Sequence, residues 1–204
     1  MIDSIKKAFD RLPIPLRARH IVNLPNVITL LRVTIIPVLF LLLLDPGPTV
    51  SLIITALFVL AGLTDLLDGY VARRYQIVTS IGKLLDPIAD KIVVNTAMIV
   101  MIPTGRIPAW VVAIMVVRDF AVDGLRSVAS AEGLFIQASQ LGKQKTLCQI
   151  FAISALMIHY PLFGADSYAV GIVILYIALI LSLYSGFDYF LKFLREYNIK
   201  GDAK

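Results

Sequence analysis

Apolar residues run through this chain in six long blocks, separated by short polar or turn-forming segments. Each block is close to the length of about 20 residues that an α-helix needs to cross a bilayer. The separating segments include Pro46-Gly47-Pro48 and Pro103-Thr104-Gly105, which interrupt helices. The pattern predicts six transmembrane helices near residues 24–44, 49–72, 83–103, 107–131, 146–163 and 168–191.

The first 20 residues follow a different pattern, in which apolar and basic side chains occupy opposite faces of a helix. Ile2, Ile5, Phe9 and Leu12 recur at helical spacing, with lysines and arginines between them. This pattern is typical of a helix that lies in the membrane interface. We therefore expect an all-α integral membrane protein with a single domain over 1–204, composed of an interfacial helix (1–20), a six-helix bundle (about 24–191) and a cytoplasmic tail (192–204).

Composition and charge distribution support this class. The 204 residues are 58% hydrophobic and 16% charged, whereas soluble domains are about 45–50% apolar and about 25% charged. If the basic N-terminus is cytoplasmic, Arg106 is the only loop cation on the opposite side, which predicts cytoplasmic termini in a bacterial inner membrane. Topology and anionic lipid head groups then account for the net charge of +5, and no nucleic-acid partner is expected.

Four aspartates occupy the predicted cytoplasmic ends of spans two and three. On each span the two residues are spaced for a common helix face; they are Asp65 and Asp68 on span two and Asp86 and Asp90 on span three. Carboxylates gathered in a low dielectric repel one another unless cations compensate. Oxygen-only ligands suit Mg²⁺ or Mn²⁺, and two such ions can clamp the entering and leaving oxygens of phosphoryl transfer.

Small residues lie beside the first aspartate pair. Gly69 and Ala72 share the face of Asp65 and Asp68, which leaves room for a large polar ligand such as a diphosphate. The alternative is that the aspartates lie in water at the membrane surface or form interhelical ion pairs with the neighbouring cations Arg32, Arg73, Arg74, Lys83 and Lys91.

Charged residues also interrupt span four. Asp119, Asp123 and Arg126 share a helical stripe and can pair internally, whereas Arg118 points about 100° away and lacks an obvious local partner. Two interpretations are open for these residues, a structural salt bridge and a substrate-binding site. Aromatic residues near the span ends are predicted to form interfacial belts: Trp110, Tyr160, Tyr168, Tyr189 and Tyr197.

Two lysines open span five, in Gly142-Lys143-Gln144-Lys145-Thr146. Two ammonium groups, a hydroxyl and a helix N-terminus together favour an anion, which predicts an acceptor alcohol that carries a phosphate. The alternative for Lys143 and Lys145 is an ordinary positive loop on the cytoplasmic side. Span one begins with Asn26, Thr29 and Arg32 on one side of a helix start, where helix capping and a snorkelling arginine are the ordinary explanation.

The aspartate motif, Asp65-x-x-Asp68-Gly69-x-x-Ala72-Arg73, eight residues, Gly82-x-x-x-Asp86-x-x-x-Asp90, resembles the signature of the CDP-alcohol phosphotransferase family. The resemblance implies a six-span membrane enzyme, commonly a homodimer, that transfers a substituted phosphate from a CDP-linked donor to an alcohol and releases CMP. It implies that Asp65, Asp68 and Asp86 ligate the metals and that Asp90 both ligates and takes the proton of the attacking hydroxyl. It also implies contacts to the CDP group from Asn26, Thr29, Arg32, Gly69, Ala72, Arg73 and Gly82.

Residues 108–149 are similar to one branch of that family, through Pro108-Ala109-Trp110, Arg118-Asp119, Gly124-Leu125-Arg126 and Gly142-Lys143-x-Lys145-Thr146-x-x-Gln149. This branch uses CDP-diacylglycerol and glycerol 3-phosphate, and the resemblance implies that Arg118, Arg126, Lys143 and Lys145 hold the acceptor phosphate. A sister enzyme with serine, inositol phosphate or a lipid as acceptor is the nearest alternative. From other classes, a cation or proton transporter and a structural scaffold are the competing hypotheses, since intramembrane acids also mark ion pathways.

Overall fold

The computed structural model describes residues 29, 33–34, 36–44, 47–74, 80–134, 136, 140–162 and 164–202. For residues 63–74, 80–86, 143 and 200–202 it describes the backbone but not the side chains. Within these limits the regular structure is helical, apart from one isolated β-bridge between Leu162 and Ala165. The all-α class is therefore confirmed. The interfacial helix predicted at 1–20 lies outside the described residues.

Five α-helices and one short 3-10 helix, Leu41–Leu44, make up the described part of the chain beyond residue 40. The α-helices are α1 (Pro48–Arg74), α2 (Ser80–Val100), α3 (Ala109–Ala131), α4 (Gln140–Ile158) and α5 (Ser167–Asp202). Residues 33–34 and 36–40, within the first predicted span, are also helical. Packing divides the chain into two units, Met1–Ala97 and Met98–Lys204, which are described separately.

In the first unit the 3-10 helix packs against α1, which begins at a proline. Proline is favoured in the first turn of a helix because its missing N–H would have no partner there. Ser51 and Thr55 are buried, and the Thr55 hydroxyl donates to the Ser51 carbonyl at 2.7 Å. The ring centroids of Phe40 and Phe58 lie 6.0 Å apart. Aromatic packing and the hydrogen bond of the Thr55 hydroxyl thus stabilise this unit.

Helix α2 begins and ends three residues earlier than the predicted span 83–103. It ends at Val100 because residues 101–105 form a turn, which contains Pro103 and in which Gly105 has a φ of 71°. Pro87 lies inside the helix between Asp86 and Asp90. A proline has no N–H, so α2 lacks one internal hydrogen bond at the turn that carries these two aspartates.

In the second unit α5 packs on both α3 and α4. The contact with α4 is close at Gly171, where an added Cβ would lie 2.8 Å from Leu156 Cγ. Buried apolar side chains fill the rest of the unit, among them Met115, Ile153 and Leu175. Glycine is therefore required at position 171 for the observed helix separation.

Helix α3 begins two residues later than the predicted span 107–131, after Pro108, and ends at the predicted Ala131. Its end is a Schellman motif, in which Gly133 has a φ of 69°. The Leu134 N–H donates to the Ala129 carbonyl at 2.8 Å, and the Gly133 N–H donates to the Ser130 carbonyl at 3.0 Å. These bonds satisfy carbonyls that the helix leaves without internal partners.

The predicted boundaries of span five, 146–163, were wrong, because α4 runs from Gln140 to Ile158. Its first residues include lysine, glutamine and leucine, which are good helix formers, so the helix begins before the apolar block does. It stops when His159 adopts a φ of 61°. Lys143 and Lys145 consequently lie within the helix and not in a preceding loop.

Helix α5 also continues past the predicted end of span six at 191 and includes most of the predicted tail. Asp166 caps its start by accepting hydrogen bonds from the N–H groups of Tyr168 and Ala169, at 3.0 and 3.2 Å. Near residue 191, Lys192 pairs with Asp188 one turn earlier at 2.7 Å. Charged helix formers without an intervening glycine or proline allow the helix to reach Gly201.

Among the described helices, the segment Ser167–Ile199 of α5 is long and apolar enough to cross a membrane. Its 33 residues span about 50 Å at 1.5 Å per residue, more than the hydrocarbon core of about 30 Å. Apolar side chains spaced by three and four residues are exposed along it: Val173, Ile177, Ile180, Tyr184 and Phe187. This surface suits contact with lipid. The six-span count remains a prediction.

Arg106, which lies between α2 and α3, has a structural role. Its side chain is 2% exposed, and its Nη1 donates to the carbonyls of Met157 and Leu156, at 2.6 and 3.4 Å. Burial lowers the pKa of its guanidinium, but arginine stays protonated in proteins. A permanent positive charge therefore faces the C-terminal end of α4, where the helix dipole is negative.

Replacement of Arg106 by methionine should reduce the free energy of unfolding by about 1–3 kcal/mol, because two carbonyls at the end of α4 lose a buried donor. Thermal unfolding in detergent would measure this loss. Lys192→Met is the matched control: it removes an exposed ion pair, for which about 0.5 kcal/mol is expected. Equal losses for the two variants would contradict the capping role.

Candidate active site

The four motif aspartates lie on α1 and α2, near the helix ends that flank residues 75–79. Asp65 and Asp68 lie in the last three turns of α1, and Asp86 and Asp90 lie in the first half of α2. The backbone is helical at all four positions, so spacings of three and four residues place each pair on one helix face. The backbone therefore places the two aspartates of each pair on one face of their own helix.

Side chains are described for only part of that predicted site. Asp90 is exposed, whereas the side chains of Asp65, Asp68 and Asp86 fall outside the described ones. The described side chains include no group of three or more His, Cys, Asp or Glu residues that could hold a metal ion. The metal site consequently stays a prediction.

The residues expected to contact CDP are divided in the same way. Asn26 and Arg32 lie outside the described residues, whereas Thr29 is helical and buried. Four further residues have a helical backbone, with nothing more described; they are Gly69, Ala72 and Arg73 on α1 and Gly82 on α2. Their contacts to CDP remain predictions.

A cluster of three charged side chains connects α3 with α4. Lys145 of α4 donates to both carboxylate oxygens of Asp119 at 2.8 Å, and Arg118 Nη1 donates to Asp119 Oδ1 at the same distance. Lys145 and Asp119 are buried, with 5% and 7% of their surfaces exposed. One carboxylate thus faces two cations, and the cluster carries one net positive charge.

Arg118 extends this cluster to α5. Its Nε donates to the Ser182 carbonyl at 2.8 Å, and its Nη2 donates to the Ser185 hydroxyl at 2.7 Å. The Ser185 hydroxyl in turn donates to the Ser182 carbonyl at 3.1 Å. The expectation that Arg118 lacks an obvious local partner was therefore wrong, because it binds the adjacent Asp119. Its other partners are on a helix distant in sequence.

Part of the predicted internal pairing within span four was wrong. Asp119 was expected to be able to pair within the stripe that it shares with Asp123 and Arg126, but it binds Lys145 and Arg118 instead. Arg126 lies over the ring of Tyr189, with its Cζ 5.8 Å from the ring centroid. Tyr189 is only 5% exposed, so it belongs to the packed interior and not to the predicted aromatic belt.

A cavity of about 410 Å³ lies where α3 ends. It is lined by Arg126, Ala129 and Ser130 of α3, by Gly133, Leu134 and Ile136 after it, and by Tyr189 of α5. The Schellman motif that ends α3 thus shapes one wall. Arg126 supplies a cation to a space large enough for a small phosphorylated alcohol.

Four cations were predicted to hold the acceptor phosphate. Two of them, Arg118 and Lys145, both bind Asp119, and a third, Arg126, lines the cavity. Lys143 is on α4, and its side chain lies outside the described ones. The α5 residues that contact the arginines were missed. A signal was present, since Ser182, Ser185, Gly186 and Tyr189 recur at the spacing of one helix face within an apolar span.

Comparison with known proteins adds a separate finding. The sequence profile of the CDP-alcohol phosphatidyltransferase family matches residues 22–184. A Bacillus subtilis protein named CDP-diacylglycerol--glycerol-3-phosphate 3-phosphatidyltransferase is 40% identical over 182 residues, covering 83% of this chain and 94% of its own length. Proteins of the same name from Rickettsia bellii and Rickettsia typhi are each 38% identical and cover 82% of this chain, and 93% and 95% of their own lengths.

The charge cluster leads to a stability prediction. Asp119→Ala leaves two cations without their carboxylate, one of them fully buried, and should reduce the free energy of unfolding by about 3–5 kcal/mol. The double variant Asp119→Leu/Lys145→Met removes both buried charges and should recover most of that loss. Thermal unfolding in detergent would measure both, with Asp188→Ala as an exposed control. A double variant no more stable than Asp119→Ala would contradict this account.

Proposed function

Because the chain belongs to the CDP-alcohol phosphatidyltransferase family, we propose that it transfers the phosphatidyl group of CDP-diacylglycerol to glycerol 3-phosphate, giving phosphatidylglycerophosphate and CMP. The observation that carries the proposal is that relatives covering most of this chain share a name that specifies both donor and acceptor. Sister enzymes with other acceptors differ in that second substrate. A transporter or a scaffold has no support from these relatives.

The donor end of the reaction is assigned to α1 and α2. Asp65, Asp68, Asp86 and Asp90 supply only carboxylate oxygens, and this donor set fits Mg²⁺ or Mn²⁺. The link 75–79 joins the two helices with six peptide steps, so their ends lie within about 20 Å of each other. When bound, two such ions would neutralise the diphosphate and stabilise the oxygen that leaves with CMP.

Asp90 is the proposed general base. Its carboxylate takes the proton of the acceptor hydroxyl, whose oxygen forms a bond to the phosphorus that carries diacylglycerol. The bond from that phosphorus to the bridging oxygen breaks, and CMP leaves with this oxygen. Asp90 is exposed in the described structure, which agrees with a carboxylate that a substrate must reach.

Contacts to the CDP group complete the donor site. We assign them to Asn26, Thr29, Arg32 and Arg73, with Gly69, Ala72 and Gly82 leaving space for the diphosphate on the helix faces. The diacyl chains would remain in the bilayer while the head group reaches these residues. This arrangement requires the site to lie near the membrane surface, as the positions of the four aspartates near their helix ends suggest.

The acceptor end is assigned to α3 and α4. The cluster of Arg118, Asp119 and Lys145 has one net positive charge, which favours an anion. Arg126 lies about two helical turns further along α3 and lines the cavity, with its Cζ over the Tyr189 ring at 5.8 Å from the ring centroid. Arg126 is therefore the residue best placed to bind the phosphate, with Lys143 and Lys145 adding positive charge.

Location follows from the proposed substrates, whereas assembly is proposed from the family resemblance. A lipid donor requires the enzyme to be in or on a membrane, and the apolar surface of α5 suits that location. We propose a multi-pass protein of the bacterial inner membrane, with both termini and the active site in the cytoplasm. A homodimer is proposed as its assembly.

The central test is a release assay with CDP-diacylglycerol and labelled glycerol 3-phosphate. CMP should form only when Mg²⁺ or Mn²⁺ is present, and Asp90→Asn should slow turnover at least about 100-fold because the general base is lost. Asp188→Asn, a carboxylate on α5, is the control and should retain activity. Failure to release CMP with glycerol 3-phosphate, serine, inositol phosphate or a lipid acceptor would contradict the enzyme assignment; release with another acceptor only would contradict the acceptor.

Arg126→Ala should raise the KM for glycerol 3-phosphate about tenfold or more, because a charge-assisted hydrogen bond to phosphate contributes about 1.5–3 kcal/mol. The KM for CDP-diacylglycerol should stay within about twofold of the unmodified enzyme, since a rim charge far from a ligand contributes about 0–1 kcal/mol. Initial rates in mixed micelles would measure both constants, with the exposed Arg195→Ala as control. Equal increases in the two constants would show that Arg126 does not serve the acceptor.

A further inference from the structure

One face of α5 contacts both arginines of α3. Ser182, Ser185, Gly186 and Tyr189 follow the spacing i, i+3, i+4, i+7, so they form a continuous stripe, here called the α5 seat. Ser182 and Ser185 are 0% and 2% exposed. Polar side chains buried in an apolar helix need partners, and the Ser185 hydroxyl finds one in Arg118, whereas the Ser182 hydroxyl has no partner among the described residues.

The first half of the seat fixes Arg118. The Ser182 carbonyl and the Ser185 hydroxyl accept its Nε and Nη2 hydrogen bonds. Gly186 provides the space for this side chain, because an added Cβ would lie 2.9 Å from Nε and 3.3 Å from Cγ. The hydrogen bonds hold the guanidinium, so it cannot move aside without losing them. Arg118 in turn binds Asp119, the partner of Lys145.

The second half of the seat orients Arg126. The Tyr189 ring lies under the guanidinium and also lines the cavity. An arginine side chain has several rotatable bonds, and an aromatic face restricts it without occupying its N–H donors. Tyr189 thus holds the cation at the cavity wall.

We infer that the α5 seat positions the acceptor-binding arginines and thereby sets the affinity of the enzyme for a phosphorylated acceptor. This inference rests on the proposed function. Tyr189, Ser185 and Gly186 are positioning residues, since they act through Arg118 and Arg126 and not on the reacting atoms. The last described helix, which carries none of the motif residues, would therefore contribute to acceptor affinity.

The first experiment compares Tyr189→Phe with Tyr189→Leu in the mixed-micelle assay. Phenylalanine keeps the aromatic face, so its KM for glycerol 3-phosphate should stay within about twofold of the unmodified enzyme. Leucine removes the face and should raise that KM about five- to tenfold, the effect of a partly desolvated cation–π contact, without changing the KM for CDP-diacylglycerol. Tyr184→Leu is the control, because Tyr184 is 63% exposed on another face of α5.

The second experiment uses glycine substitutions on the same helix. Gly186→Ala should displace Arg118 and raise the KM for glycerol 3-phosphate severalfold, whereas Gly171→Ala creates a similar clash with Leu156 in the packing of α4 and α5. If both fold, the Gly171 variant should lose stability without a change in the ratio of the two KM values. The tyrosine pair remains informative if either glycine variant fails to fold.

The outcomes separate the two proposals. If the unmodified enzyme releases no CMP with glycerol 3-phosphate, the proposed function fails. If the enzyme is active but Tyr189→Leu changes neither KM or changes both equally, the inference about the α5 seat is overturned. It is also overturned if Tyr189→Phe raises the KM for glycerol 3-phosphate as much as Tyr189→Leu does. A selective rise that phenylalanine prevents would support it.

Discussion

Asp119 is the carboxylate on which the arrangement of α3, α4 and α5 depends. Hydrophobic packing favours contact between these helices, but it is not directional and tolerates many registers. Lys145 and Arg118 both bind this carboxylate at 2.8 Å, and Arg118 also binds the backbone of α5. A shift of one helix by a single turn would separate buried charges, which costs several kcal/mol, about 3–5 when one partner is removed. The ion cluster therefore selects one register.

The same cluster links stability to the proposed chemistry. A transfer between CDP-diacylglycerol and glycerol 3-phosphate brings together two anionic substrates, so each end of the reaction needs positive charge. Divalent ions on aspartates suit the diphosphate, because they can bridge its oxygens. Fixed arginines and lysines suit the acceptor phosphate, because they are present before it arrives. Asp119 stabilises Arg118 and Lys145, two cations that we propose for the acceptor site, in an apolar interior without neutralising both charges.

Local features of the sequence were sufficient for most helix boundaries. Prolines and turn residues limited α2 and α3 to within three residues of the prediction, and the apolar blocks identified α1. Hydropathy failed at both ends of α4 and at the end of α5. Polar helix formers begin α4 and extend α5 beyond their apolar blocks, whereas the positive φ of His159 ends α4 before the predicted boundary. Arg118 and Tyr189 were misassigned for another reason: apart from the adjacent Asp119, their partners lie on another helix, and spacing along one helix cannot reveal them.

The sequence by itself determined the helical class, the two aspartate pairs and the family, because helix periodicity and a motif of fixed spacing are properties of neighbouring residues. Only the tertiary structure decided which cation pairs with Asp119, which arginine lies at the cavity, and that Ser182, Ser185, Gly186 and Tyr189 hold them. These choices depend on which helices pack together and at what register. Packing of distant segments is a property of the whole fold, so no local pattern records it.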